Sequence, residues 1–152
     1  MQPPKGGLSS FEASGLISPK ETRMTLENLC HRYLAALNAG DLDGVRALFT
    51  PGAEILSPLY GTRPAHDFYA ELFADTTRSE TTLLNIFDSS SQGGSLALHF
   101  RYVWTLASGK VVEFECVDVF ELSADRQHFT RMTIIYDTAP LRAAFEASRK
   151  HV

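Results

Sequence analysis

A chain of 152 residues with 44% hydrophobic and 21% charged residues, and with ten Phe, five Tyr and one Trp, has the makings of one packed domain and not of a low-complexity segment. Fourteen Lys and Arg against eighteen Asp and Glu leave a net charge of -4, so nucleic acid and anionic membrane surfaces have no electrostatic reason to bind and are set aside as partners. The longest unbroken apolar run, Tyr33 to Leu37, is far too short to span a bilayer, and residues 1–23 hold no stretch of signal-peptide length. A cytoplasmic protein is expected, with Cys30 and Cys116 as separate buried thiols.

Residues 1–23 contain three Pro, three Gly and four Ser without periodicity, which reads as a flexible tail ahead of a domain at 24–152, and a start at Met24 is an open alternative. From Thr25, the residues Leu26, Leu29, Cys30, Tyr33, Leu34 and Leu37 recur at three- and four-residue steps up to the stop Asn38-Ala39-Gly40. That spacing predicts an amphipathic helix. Asp41 caps a predicted second helix carrying Leu42, Val45, Leu48 and Phe49, which Pro51-Gly52 ends, and a short strand at 53–57 follows. Pro64 fits the first turn of a third helix with Ala65, Phe68, Tyr69, Leu72 and Phe73 on its buried stripe.

The period then changes to two, with strands predicted at 81–87, 96–106, 111–122 and 129–136 and a last short helix from Pro140. Helices first and an antiparallel meander after them give an α+β domain whose helices cover one face of the sheet. A three-residue loop Ala107-Ser108-Gly109 pairs Trp104 with Val112, Tyr102 with Phe114, Phe100 with Cys116 and Leu98 with Asp118. A two-residue loop would set each apolar row against a polar one. The chosen register puts Asp118 on the covered face among Cys116, Phe120, Met132, Ile134 and Tyr136, an expensive place for a carboxylate without an Arg partner.

The run Arg32-Tyr33-Leu34-Ala35-Ala36-Leu37-Asn38-Ala39-Gly40-Asp41-Leu42-Asp43-Gly44, with Ala47-Leu48-Phe49 and Phe68-Tyr69-Ala70, resembles the steroid Δ5-3-ketoisomerases of the nuclear transport factor 2-like superfamily, which includes the SnoaL-like polyketide cyclases. The resemblance extends over residues 25–137. It implies a cone of three helices on a curved antiparallel sheet, with a mostly apolar pocket inside and no metal or cofactor. It implies roles as well: Tyr33 matches the tyrosine that donates a hydrogen bond to the substrate oxyanion, and Asp118 matches the aspartic acid kept protonated to donate the second. Where the isomerases carry the aspartate that moves the proton, this chain has Ser57 before Pro58. A serine hydroxyl is no general base near neutral pH. Two readings of Asp118 stay open, a neutral donor in a dry pocket or an ionised base.

The expected pocket wall is Ser57, Phe68, Tyr69, Leu98, Phe100 and Tyr102, continued by Trp104, Phe114, Cys116, Phe120, Met132, Ile134 and Tyr136. The expected ligand is a small apolar carbonyl or phenolic compound, acted on by an isomerase or cyclase; a non-catalytic ligand-binding or dimerisation module is the alternative. Five His residues show no metal-ligand spacing, and no Gly-rich phosphate loop or Ser-His-Asp arrangement is present. On the other sheet face, Arg101 is expected opposite Glu115, and Val103, Val117, Val119 and Ile135 form a mixed patch that suits a homodimer.

Overall fold

Ser18 and Glu21 set the start of the first helix. In the computed structural model, which describes residues 18–89 and 94–150, the Ser18 hydroxyl accepts from the Glu21 amide at 3.1 Å while the Glu21 carboxylate accepts from the Ser18 amide at 3.4 Å. This reciprocal cap, followed by Pro19, launches α1 (Pro19–Ala39) upstream of Thr25, where the apolar period is first read. The remainder of the expected tail lies outside the described residues. Gly40, at φ 63°, closes α1 in the left-handed conformation that a side chain resists. Asp41 then caps α2 (Leu42–Arg46) by accepting from the Gly44 amide at 2.9 Å.

The second helix is shorter than expected. Leu48 and Phe49 leave it, and Phe49 opens β1 (Phe49–Ser57) beside Phe129, whose amide donates to the Leu48 carbonyl at 2.8 Å. Pairing with a strand eighty residues away overrides the local helical spacing. β2 (Gly61–Pro64), wholly exposed and without alternation, has no sequence signal of the kind that marks a buried strand. α3 (Ala65–Ala74) follows, and β3 (Thr76–Asp88) begins earlier than expected.

β4 (Ser95–Leu106) and β5 (Val111–Leu122) pair in the expected register, Trp104 with Val112, Tyr102 with Phe114, Phe100 with Cys116 and Leu98 with Asp118. The loop is the expected one: Gly109 takes φ 91°, and the Leu106 amide donates to the Lys110 carbonyl at 2.9 Å. β6 (Phe129–Ile135) completes a sheet ordered β2-β1-β6-β5-β4-β3. All its pairs are antiparallel except β1 with β6. Bulges in β1, β3 and β6 curve it, and the cone is not closed.

Leu96, Leu98, Phe100, Tyr102, Trp104 and Leu106 alternate inward along β4 and are all buried. At about 1.5–3 kcal/mol for each large apolar side chain, this row is the backbone of the core. α1 and α3 cover it. The last helix, α4 (Ala139–Lys150), inserts Phe145 between Tyr60 and Trp104, with ring centroids 5.3 and 5.8 Å away. Arg142 ties its start to the Pro58 carbonyl and Ser148 ties its end to the Ser108 amide.

The uncovered sheet face carries His99, Arg101, Val103, Glu113, Glu115, Val117 and Val119. Although Arg101 stands opposite Glu115 on the backbone, its guanidinium pairs with Glu113 on the diagonal, and Glu115 is taken by His99 at 3.4 Å. The long Arg stem reaches a diagonal neighbour as easily as the residue directly across.

Candidate active site

Asp118 is the only acidic side chain among the buried described residues, at 2% exposure. β5 delivers it: Cys116, Asp118 and Phe120 are successive inward positions, with Leu98 on β4 and Ile134 on β6 at its flanks. Its partners are neutral. The Cys116 thiol donates to Oδ1 at 3.2 Å. Burial raises the Asp118 carboxyl from 3.8 to about 7, against the opposing pull of Cys116 and of the nearby Tyr33 hydroxyl. No cation contributes. The carboxyl is therefore divided between its two protonation states near neutrality, the condition that suits a group asked both to take and to return a proton.

α1 supplies Tyr33, held by an edge contact with Phe120 at 5.2 Å and by a hydroxyl–hydroxyl bond to Tyr69 of α3 at 2.9 Å. The Tyr69 hydroxyl also lies 3.7 Å from the Met132 sulfur. Either hydroxyl can be the donor of the Tyr33–Tyr69 bond; when Tyr69 donates, the Tyr33 proton is free to point towards Asp118, whose ionised form it favours. Burial raises both phenols well above 10, so each stays protonated. Burial also pushes the Cys116 thiol up and carries Cys30 to about 12, which leaves both as thiols and makes neither a nucleophile.

The space inside the cone is a cavity of about 40 Å³. That holds a few waters, whereas ligand pockets run to roughly 300 Å³ and more. Tyr33, Asp118, Ser57, Phe68 and Cys116 line it, as do Phe100, Tyr102, Trp104, Phe114, Ile134 and Tyr136. Tyr69, Leu98, Phe120 and Met132, expected on the wall, stand outside the lining, fully buried. Strand alternation for Leu98, Phe120 and Met132, and the helical stripe for Tyr69, pointed these four inward, and they are packed in the core without reaching the cavity. Leu37, Tyr60 and Leu72 line the cavity without having been expected there. Two of them had a signal, since Leu37 and Leu72 each follow a lining aromatic, Tyr33 and Phe68, by one helical turn. Tyr60 had none, because a turn places it.

Ser57, Phe114, Ile134 and Tyr136 are the half-buried lining residues, so the cavity approaches solvent on their side. The Ser57 oxygen accepts from the amides of Leu59 and Tyr60 at 3.2 and 3.1 Å. Its first task is to fix the turn between β1 and β2.

The family model described as the SnoaL-like domain matches residues 30–131. The chain belongs to that family. Among solved structures, this SnoaL-like chain is similar to an NTF2-like protein from Cytophaga hutchinsonii, at TM-score 0.60 and 15% identity over 76% of this chain and 93% of that one. A protein with a ketosteroid isomerase-like fold from Catenulispora acidiphila, in complex with trimethylamine, matches at TM-score 0.62 and 10% identity over 72% and 85%. TerC, co-crystallised with polyporic acid, matches at 0.66 and 16% over 80% and 98%. At these identities the likeness is one of fold, and it agrees with the helix-covered curved sheet. Among the described residues, no group of three or more His, Cys, Asp and Glu is gathered so as to hold a metal, and no helix is long and apolar enough to cross a membrane.

Proposed function

We propose that this SnoaL-like protein binds a small, largely apolar carbonyl or phenolic compound in the cone and moves a proton on it, as an isomerase or cyclase does, with Asp118 as the acid/base. The observation that carries this reading is a fully buried carboxyl on the cavity wall, with no cation partner and an ionisation midpoint near 7. As carboxylate, Asp118 takes the proton from a carbon next to the ligand carbonyl, and the C–H electron pair passes into an enolate. Hydroxyl donors on the cavity wall stabilise the oxygen that gains charge. As carboxylic acid, Asp118 returns the proton to another carbon, which moves a double bond, or the enolate carbon attacks a second carbonyl to close a ring and Asp118 gives the proton to the alkoxide oxygen that this leaves. Tyr33 keeps the role of hydrogen-bond donor beside Asp118. Ser57 has no base to offer. TerC binds polyporic acid within the same fold, which supports an aromatic or carbonyl ligand here.

The cavity of about 40 Å³ favours a second reading, a module whose interior is filled by its own side chains. Deuterium exchange separates the two. Wild-type protein in heavy water should accelerate deuteration of the carbon beside the carbonyl of cyclohexanone, and Asp118→Asn should abolish the acceleration. Exchange at the buffer rate with both proteins would overturn the catalytic reading.

The uncovered sheet face supports a homodimer. Phe87 and Ile135, at 55% and 53% exposure, share it with Val103, Val117 and Val119 inside a rim of charged side chains.

A further inference from the structure

An inventory of protons around the cavity separates its polar groups into engaged and free. The Tyr60 hydroxyl donates to Asp75 at 2.6 Å, and the Trp104 indole donates to the Thr76 hydroxyl at 2.7 Å. Tyr102 shares its proton with Ser79 at 2.6 Å, and the Tyr33 hydroxyl is divided between Tyr69 and Asp118. The Cys116 thiol is spent on Asp118, and the Ser57 oxygen is pinned by two amides. Among the described residues, Tyr136 is the lining tyrosine whose hydroxyl has no protein hydrogen-bond partner, and it is open to solvent. Its ring is nevertheless fixed. It stacks on Phe114 at 4.4 Å, and Phe114 stacks on Tyr102 at 5.4 Å. A phenol held by its ring, with no protein group engaging its oxygen at the solvent side of the cavity, is a preorganised contact for a ligand that displaces solvent there.

Its place relative to Asp118 gives the contact a purpose. Tyr136 follows β6 on the inward phase of Met132 and Ile134, and its ionisation is opposed first by burial and then by Cys116 and Asp118 nearby. The other groups whose ionisation senses Asp118 are Cys30, Tyr33, Tyr69 and Tyr102, all neutral in this state; Arg142 is the cation that acts on Tyr136. When Asp118 is a carboxylate, the state in which it can take a proton, the adjacent Tyr33 and Cys116 donors turn towards its negative charge. Neither then serves the ligand.

We propose that Tyr136 is the donor to the ligand's carbonyl oxygen while Asp118 faces the neighbouring carbon, so that Tyr33 positions Asp118 and Tyr136 stabilises the enolate. This division rests on the acid/base reading of Asp118 and departs from a site in which Tyr33 and Asp118 are the two oxyanion donors. It also narrows the ligand, which must present a carbonyl at the solvent side of the cavity, where Tyr136 and Phe114 lie half-buried.

Acetophenone, whose carbonyl only accepts, is the probe, and Trp104, the sole tryptophan and a lining residue, reports binding by fluorescence. At pH 8.5, Tyr136→Phe should weaken binding by about tenfold, the loss of one hydrogen bond. The infrared carbonyl stretch of bound acetophenone should move to higher frequency in that variant, a change that a purely structural role would not produce. Phe keeps the stack on Phe114. Tyr33→Phe and Ser57→Ala should leave the stretch in place. An unchanged stretch and affinity in Tyr136→Phe, or the shift appearing in Ser57→Ala or Tyr33→Phe instead, would overturn the assignment while the acid/base reading stands. Failure of the wild type to bind acetophenone at all would overturn both.

Discussion

Cys116 and Asp118 rise from the same face of one strand, two residues apart, and the thiol of the first donates to the carboxylate of the second at 3.2 Å. The pair needs no loop to assemble it, because the pleat of β5 does so. Since this bond favours the ionised carboxyl, Cys116→Ala should raise the Asp118 midpoint above 7, as read from the NMR titration of its carboxyl carbon. A midpoint that stays or falls would show that burial and Tyr33 alone set it.

The same midpoint makes a prediction about stability. A carboxyl that ionises near 4 when unfolded and near 7 when folded binds its proton more tightly in the folded state, so its contribution is complete below pH 4 and lost as pH rises to 7 and beyond. The loss amounts to about 4 kcal/mol at pH 8. Asp118→Asn carries no such charge and should exceed the wild type in urea midpoint at pH 8, with the advantage shrinking towards pH 4. Parallel pH profiles for the two proteins would contradict a buried, unpaired Asp118.

Ser57→Asp tests the position that resembles an isomerase base. The new carboxylate would inherit the amides of Leu59 and Tyr60, whose hydrogen bonds make it a weak base. The migration of the double bond in a small cyclic β,γ-unsaturated ketone should rise at most about tenfold, below the roughly 10²- to 10⁴-fold of a well-placed base. A gain of a thousandfold would mean that residue 57 is free to reach the ligand.

Phe145 is the test of the last helix. It is 4% exposed and wedged between Tyr60 and Trp104, so Phe145→Ala should cost about 3–5 kcal/mol and shift the Trp104 emission to the red as water reaches the indole. Thermal unfolding and emission spectra together would check this. A loss under about 1 kcal/mol would mean that α4 packs only loosely on the cone.

For the sheet face, sedimentation at micromolar concentration should give about twice 16.8 kDa for the wild type and a single 16.8 kDa species for Ile135→Glu. Equal masses for the two proteins would remove this face from the dimer.

The sequence by itself determined the register of β4 and β5 and, through it, the inward placement of Asp118. Both depend on local rules: a period of two, and a loop whose length is fixed by Gly109 in the left-handed conformation. The apolar period placed the start of α1 at Thr25, and the Ser18–Glu21 cap moves it to Pro19, inside the stretch read as a tail. What tertiary structure alone decided is non-local. Phe49 left a helix because Phe129 offered it a strand partner, and Arg101 chose Glu113 over the residue directly opposite. Which wall residues reach the cavity, and which hydroxyl among Tyr33, Tyr60, Tyr102 and Tyr136 is left free, depends on partners such as Tyr69, Asp75 and Ser79 that lie far along the chain. Alternation assigns a side chain to a face, but whether its hydroxyl is engaged depends on the atoms that other elements bring within about 3 Å.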